Sequence, residues 1–420
     1  TGGGPVEPGP ERHARVVDLG RIGARVDVGE GRGVRMGTGG TGRAGAPLPA
    51  VGEPQVVEER GHLGVNPMRS VRHPRAVVPR RSLARMTSAR ALRVTTSGGP
   101  DVLAVQTVDV PAPGPGEARV RVAAAGVNFI DVYQRQGIYP LPTPFTVGME
   151  GAGIVESLGP DCPPDSPGVG SRVAWAMTGG ADAELALVPA ASLVAVPDGV
   201  ALDEAAAAML QGMTAHFLTT SVYAVSPDST VLVHAAAGGV GQWLVQFAAS
   251  AGATVVGTAG TADKRAKAAA LGAAHVLDYA AYDTAETLAE AVREANGGLG
   301  VHVAYDGVGR ATFDASLASL RPRGLLALFG GSSGQVPPFD LQRLNAGGSL
   351  FVTRPTLAHY LADRAELLWR AGAVFEALRS GRVRLEIGGR YPLTDAAAAY
   401  AALEGRASSG KLVLMVGDLG

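Results

Sequence analysis

The sequence predicts an α/β fold: a doubly wound parallel sheet beside a second, β-rich domain. Three observations lead there. A small-residue turn separates a short apolar run from a helical pattern at Val231-Leu232-Val233-His234-Ala235-Ala236-Ala237-Gly238-Gly239-Val240-Gly241. After it, apolar runs at 254–258, 275–279, 301–305 and 325–329 alternate with helical segments, the last two runs ending at Asp306-Gly307 and Gly330-Gly331. Such alternation builds a parallel sheet. Before the turn, from Met86 onward, the text is β-like instead, with a strong alternation over 117–125.

Taken in order, residues 1–85 stand apart. They are rich in Gly, Pro and Arg and hold 14 arginines against 8 acidic residues. They show neither a strand period nor a helix period, which predicts a disordered extension. Met86 opens the patterned text. Strands are expected at 91–95, 102–110 and 117–125, with a Pro/Gly turn at 111–116, and further strands at 172–175 and 183–188. An Ala-rich helix over 203–211 leads to the sheet domain. Residues 262–271 read as a helix. Beyond Gly330 come a strand at 350–353, a long helix over 361–380, a helix over 391–403 and a closing strand at 411–416. The β-like pieces at 383–387 and 412–415 are expected to return to the first domain. The division is thus an extension over 1–85, a first domain over 86–210 completed by about 347–420, and a nucleotide-binding domain over 211–346.

The turn carries chemistry. Ala236-x-Gly238-x-x-Gly241 is a dinucleotide fingerprint with alanine at its first small position. Small residues let the turn tighten, the backbone touch a pyrophosphate and the helix pack against the strand. The helix N-terminus offers the anion its N–H groups and positive dipole end.

Bulk properties exclude several classes. A net charge of −1 argues against nucleic-acid or anionic-membrane partners. No apolar stretch approaches the ~20 residues of a spanning helix. The single cysteine, Cys162, rules out a disulfide framework or a multi-cysteine metal site. The eight histidines show no paired metal spacing.

From Met86 onward the chain resembles the medium-chain dehydrogenase/reductase superfamily, and within it the zinc-independent quinone oxidoreductases of the zeta-crystallin type. The matching text includes Ala125-Gly126-Val127-Asn128-Phe129-Ile130-Asp131-Val132-Tyr133, Gly137-Ile138-Tyr139-Pro140 and Gly148-Met149-Glu150-Gly151-Ala152-Gly153. It continues with Leu210-Gln211-Gly212-Met213-Thr214-Ala215, the turn itself, Tyr305-Asp306-Gly307-Val308-Gly309 and Gly330-Gly331-Ser332-Ser333-Gly334. The resemblance implies a GroES-like β domain, a Rossmann domain carrying NADPH, and hydride transfer to a quinone or similar electron-poor acceptor. It also implies a cytosolic homodimer paired through the nucleotide domains. The same scaffold would serve an enoyl or alkenal reductase, or a nucleotide- or RNA-binding protein without turnover, as in lens-crystallin use of the family.

Residue roles follow from the resemblance. Zinc relatives place a cysteine near the Asn128 position and a histidine at the Met149 position; the amide and thioether here predict catalysis without metal. Asn128 and Tyr133 would donate hydrogen bonds to the acceptor, with Asp131 orienting them; alternatively Asn128 and Asp131 only hold a loop. Tyr139 is pocket wall or core. Thr214 would contact the nicotinamide side or merely pack its helix. The cofactor would rest on Ala237, Gly238, Gly239 and Val240, with Gly330 and Ser332 past a strand end. His234 reads as a core histidine. The strand at 254–258 ends without an acid, and Gly257 leaves room where a carboxylate would repel a 2′-phosphate. Lys264, Tyr279 and Arg406 would surround that phosphate, predicting NADPH over NADH; Lys264 is otherwise a solvated helix residue.

Overall fold

The computed structural model describes residues 86–405 and 409–417. The expectations for residues 1–85 and for Arg406 lie outside the described residues.

The β-rich half begins with β1 (Thr87–Val94), β2 (Leu103–Val110) and β3 (Glu117–Val127). Then come α1 (Phe129–Arg135), β4 (Phe145–Thr146), β5 (Glu150–Leu158), β6 (Arg172–Ala176), β7 (Leu185–Pro189) and β8 (Val194–Ala195). β1 pairs antiparallel with β2 and β4, and β3 pairs antiparallel with β5 and β7. Val120, Val122, Val173 and Trp175 fill the core of this half, as the alternation along their strands requires.

α2 (Leu202–Phe217) runs past the helix end expected at 211. It is buried nearly all round: it packs on β3, β5 and β6 and also on the helices α3 (Gly239–Ser250) and α8 (Arg364–Arg379). The run Ala205–Ala208 has no side chain beyond Cβ, so backbones approach from every side. A Cβ on Gly212 would stand 2.8 Å from Val374 Cγ1, so glycine sets how closely α2 and α8 approach.

The parallel half contains β9 (Thr230–Val233), α3 (Gly239–Ser250), β10 (Thr254–Thr258), α4 (Ala262–Ala270) and β11 (His275–Leu277). It continues with α5 (Ala285–Glu294), β12 (Val301–Asp306), α6 (Phe313–Ala318), β13 (Leu320–Leu328), α7 (Gln342–Ala346) and β14 (Phe351–Thr353). The six-stranded sheet has the order β11-β10-β9-β12-β13-β14, the doubly wound order whose reversal lies between β9 and β12. Its last strand carries the sheet past the boundary expected at residue 346. The strand expected over 275–279 stops at Leu277, because the Asp278 side chain accepts the Ala280 N–H at 3.0 Å and turns the chain.

α8 (Arg364–Arg379) packs on α2, and β15 (Ile387–Pro392), α9 (Ala396–Glu404) and β16 (Lys411–Met415) complete the described chain. β16 pairs antiparallel with β3, returning the chain to the first sheet as expected. The helix expected over 391–403 is a correction: Tyr391 belongs to β15, which pairs parallel with β16, and the helix starts at Ala396. Pro392, which has no N–H to donate, ends that strand. Among the described residues no helix is long and apolar enough to cross a membrane.

Candidate active site

A cleft of about 920 Å³ runs from the turn after β9 to the helix α1 of the β-rich half. Ala237, Gly238, Gly239 and Val240 line its middle. The chain leaves β9, passes Ala235 at a positive φ of 51° and enters α3 with no side-chain cap. The first-turn N–H groups of α3 therefore face the cleft without an intrahelical partner, as a phosphate needs. Gly241 is required by geometry, since its Cβ would lie 2.2 Å from the Ala235 carbonyl oxygen. A Cβ on Gly239 would run into the Gln211 amide at 2.3 Å. Gly257 does not line the cleft; it lies behind the turn, where a Cβ would stand 2.9 Å from that of Ala236.

Asp306 shapes the next wall, a role that the sequence reading left unassigned. Its carboxylate accepts the N–H groups of Val308 and Gly309 and the hydroxyls of Thr312 and Ser316 at 2.7–3.0 Å. Its Asp-Gly position at a strand end was the available signal. His234 is buried and bonds Thr258 Oγ1 through Nδ1 at 2.9 Å, while its Nε2 has no hydrogen-bond partner among the described residues. Burial lowers its pKa and keeps it neutral.

At one end of the cleft stand Lys264 and Tyr279. Thr261 caps α4 by accepting the Lys264 N–H at 3.3 Å. Gly260 lets Tyr279 come close, because a Cβ there would be 2.7 Å from the tyrosine hydroxyl. These residues can receive the adenosine side of a dinucleotide.

At the other end stand Asn128, Tyr133, Tyr139, Thr214, Gly330 and Ser332. Thr214 donates its hydroxyl hydrogen to the Leu210 carbonyl at 2.7 Å and so can only accept from a ligand. The Gly331 N–H donates to the Tyr133 hydroxyl at 3.2 Å, which leaves the phenol hydrogen for a ligand. Burial raises the Tyr133 pKa, so the phenol stays protonated near neutral pH.

Asn128 precedes α1, yet its side chain does not cap the helix. Asp131 does that work, accepting the Asn128 backbone N–H at 2.9 Å. The Asn128 amide points into a buried polar network. Its Nδ2 donates to the Gly126 carbonyl and to Glu150 Oε2, both at 2.9 Å. Its Oδ1 accepts from Lys411 Nζ at 2.7 Å and from Gln211 at 3.4 Å. Both amide hydrogens are thus committed within the protein, which sets Asn128 apart from the donor role expected of it. Lys411 also pairs with Glu150 at 2.6 Å, and both are buried. Nothing in the spacing of Asn128, Glu150 and Lys411 announces this contact across 283 residues.

Asp131 is fully buried and lies outside the cleft wall. Tyr400 Oη lies 2.8 Å from Asp182 Oδ2 and 3.2 Å from Asp131 Oδ2. One phenol hydrogen cannot serve both oxygens, so the pair closes when one carboxyl keeps a proton. Burial pushes Asp182 up to about 7, and burial together with the Asp182 charge holds Asp131 well above the usual carboxylate range.

Two family descriptions match the chain: "Alcohol dehydrogenase GroES-like domain" over residues 114–198 and "Zinc-binding dehydrogenase" over residues 239–362. The residues present do not fit zinc. Among the described residues no group of three or more His, Cys, Asp or Glu is placed to hold a metal. Cys162 donates instead to the carbonyls of Glu117 and Gly159. Lys411 is the buried cation beside Glu150 and Asn128. The dinucleotide does fit, since the glycine turn and the uncapped α3 face an open cleft.

A 2-haloacrylate reductase from Burkholderia sp is 41% identical over 326 residues, which is 76% of this chain and 96% of that protein. A quinone oxidoreductase from Salmonella typhimurium is 40% identical over 324 residues, 76% of this chain and 97% of that protein. The solved structure of Escherichia coli quinone oxidoreductase complexed with NADPH superposes with a TM-score of 0.75 at 38% identity, covering 78% of this chain and 100% of that one. With its β-rich half, its parallel dinucleotide sheet and relatives matched over nearly their whole length, the chain belongs to the quinone oxidoreductase family of the medium-chain dehydrogenases/reductases.

Proposed function

We propose that this protein reduces quinones with NADPH, and does so without zinc. One observation carries the reading: the cleft that holds the uncapped glycine turn also holds the free phenol hydrogen of Tyr133. When bound, NADPH supplies the hydride. Tyr133 donates to the acceptor oxygen that takes up the electron pair, and solvent supplies the proton that completes the hydroquinone. Asn128 is a positioning residue, tying Lys411 and Glu150 to the start of α1, which carries Tyr133. Asp131 fixes that helix start. Thr214, Gly330 and Ser332 hold the nicotinamide side, and Lys264 and Tyr279 gather on the 2′-phosphate.

The Burkholderia relative favours a second reading, hydride addition to an activated alkene. NADPH oxidation against 1,4-benzoquinone, 9,10-phenanthrenequinone and a simple enone separates the two. Quinone turnover well above enone turnover is expected, and turnover of the enone alone would overturn the first reading. We also place the enzyme in the cytoplasm as a homodimer. β14 is a sheet edge with Phe351 60% exposed and Leu341 is 67% exposed, apolar surface that a second copy would cover. Size-exclusion chromatography with light scattering tests it, and a monomer would overturn it.

A further inference from the structure

Arg354 follows β14, at the C-terminal end of the parallel sheet, where ligands of such sheets bind. Charged side chains are rare along the cleft wall. Lys264 and Asp283 stand at its Thr261–Thr284 end, whereas Arg354 stands at the end with Tyr133 and Tyr139. The guanidinium donates to the Tyr139 hydroxyl at 3.3 Å and to the Pro355 carbonyl at 3.4 Å, both long bonds. Among the described residues no carboxylate pairs with it, so most of its five N–H donors carry no protein partner.

Its neighbours point the same way. Tyr139 accepts from Arg354 and Tyr133 accepts from Gly331, so each phenol keeps its hydrogen for something else. The two rings meet edge-on at 5.4 Å, which puts both hydroxyl-bearing rings in one wall. This end of the cleft is therefore a rim of donors with a formal positive charge, set against the apolar Phe129, Ile130 and Leu357. A neutral quinone is served by a single donor at the reacting oxygen and gains no charge pairing from a guanidinium. A carboxylate or sulfonate presents two oxygens side by side to the parallel N–H groups of a fork, and Arg supplies one.

We propose that Arg354, assisted by Tyr139, is an anion subsite that selects electron-poor acceptors bearing a carboxylate or sulfonate near the reacting group. The proposal rests on the acceptor reading above and adds a specificity residue to it. Arg354 anchors the anionic substituent while Tyr133 faces the acceptor oxygen, so the charge sets the orientation of the ring or double bond toward the cofactor.

The test uses full-length enzyme with NADPH and two acceptors, 1,4-naphthoquinone and 1,4-naphthoquinone-2-sulfonate. The wild type is expected to show a KM for the sulfonate about fivefold to tenfold lower than for the neutral quinone, the range for a charge-assisted contact that is partly solvated. That advantage should shrink as salt rises from roughly 20 to 200 mM. Arg354→Gln should raise KM for the sulfonate by about the same factor, with KM for naphthoquinone and for NADPH nearly unchanged. Arg354→Lys, which keeps the charge and loses the fork, should recover part of it. Equal KM values for the two quinones in the wild type would overturn the proposal without any variant having to fold. So would an Arg354→Gln variant whose KM rises for NADPH, or equally for both acceptors. Turnover of naphthoquinone without a preference would sink the anion subsite alone, whereas turnover of neither quinone would sink the quinone reading with it.

Discussion

At the scale of single residues, the candidate site separates groups that face a ligand from groups that hold those groups still. Tyr133 is of the first kind. Tyr133→Phe removes the phenol hydrogen and leaves the ring, so kcat/KM for a quinone should fall about tenfold while KM for NADPH stays constant, which steady-state kinetics will show. Lys411 is of the second kind. Lys411→Met strands the buried Glu150 carboxylate and should cost about 3–5 kcal/mol in urea unfolding. Adding Glu150→Gln should recover part of that loss, because no charge is then left unpaired. Asp182 gives a pH signature. Its folded pKa, about 7, lies above its ordinary 3.8, so the folded protein holds more protons than the unfolded chain between those values. Its contribution to stability is complete below the lower value and is lost as pH rises through the upper one. Asp182→Asn keeps an acceptor for Tyr400 and removes this titration, so its melting temperature should vary less than the wild type's from pH 4 to pH 7.

At the scale of elements, the β9–turn–α3 unit is the part most completely written in local sequence. Apolar strand, small turn and helical pattern follow one another, and the structure folds them that way, with α3 buried over Gly241–Ala248. Gly241 shows why only glycine serves: an added Cβ meets a backbone oxygen at 2.2 Å, and backbone cannot swing aside as a side chain tip can. Gly241→Ala should weaken NADPH binding by at least about tenfold, measured by nicotinamide fluorescence, while circular dichroism stays near wild type. Other elements were less legible. α2 reaches Phe217 instead of ending at 211: Gly212 weakens the local helix signal, and burial of Gly212–Phe217 in the core holds those last turns helical. The helix expected over 391–403 starts only at Ala396, because pairing with β16 holds Tyr391 extended. Tertiary context overrides propensity most easily where propensity is weak.

At the scale of the whole molecule, α2 packs on strands of the β-rich half and on α3 of the parallel half, and a cleft is lined by residues of both halves. The Tyr133–Gly331 hydrogen bond crosses that cleft, from the α1 side to the loop after β13. Among the described residues no cluster of His, Cys, Asp or Glu is placed to hold a metal, so dialysis against a strong chelator should leave the quinone rate unchanged, with well under one zinc per chain by elemental analysis. The sequence by itself determined the fold class, the alternation of strands and helices along the parallel half and the small-residue turn between β9 and α3. Those depend on periodicity and on small residues at fixed short spacing, which are local properties. Most of the residues that it singled out line one cleft: Asn128, Tyr133, Thr214, Lys264, Tyr279, Gly330 and Ser332. Only the tertiary structure decided what those side chains have left to offer. Asn128 reads as a donor until the fold sets the Gly126 carbonyl and the Glu150 carboxylate against its amide hydrogens, and only the end of β14 brings Arg354 beside Tyr139. A hydrogen bond is a relation between two groups, and when the partners stand hundreds of residues apart, no local pattern records which donors are already spent.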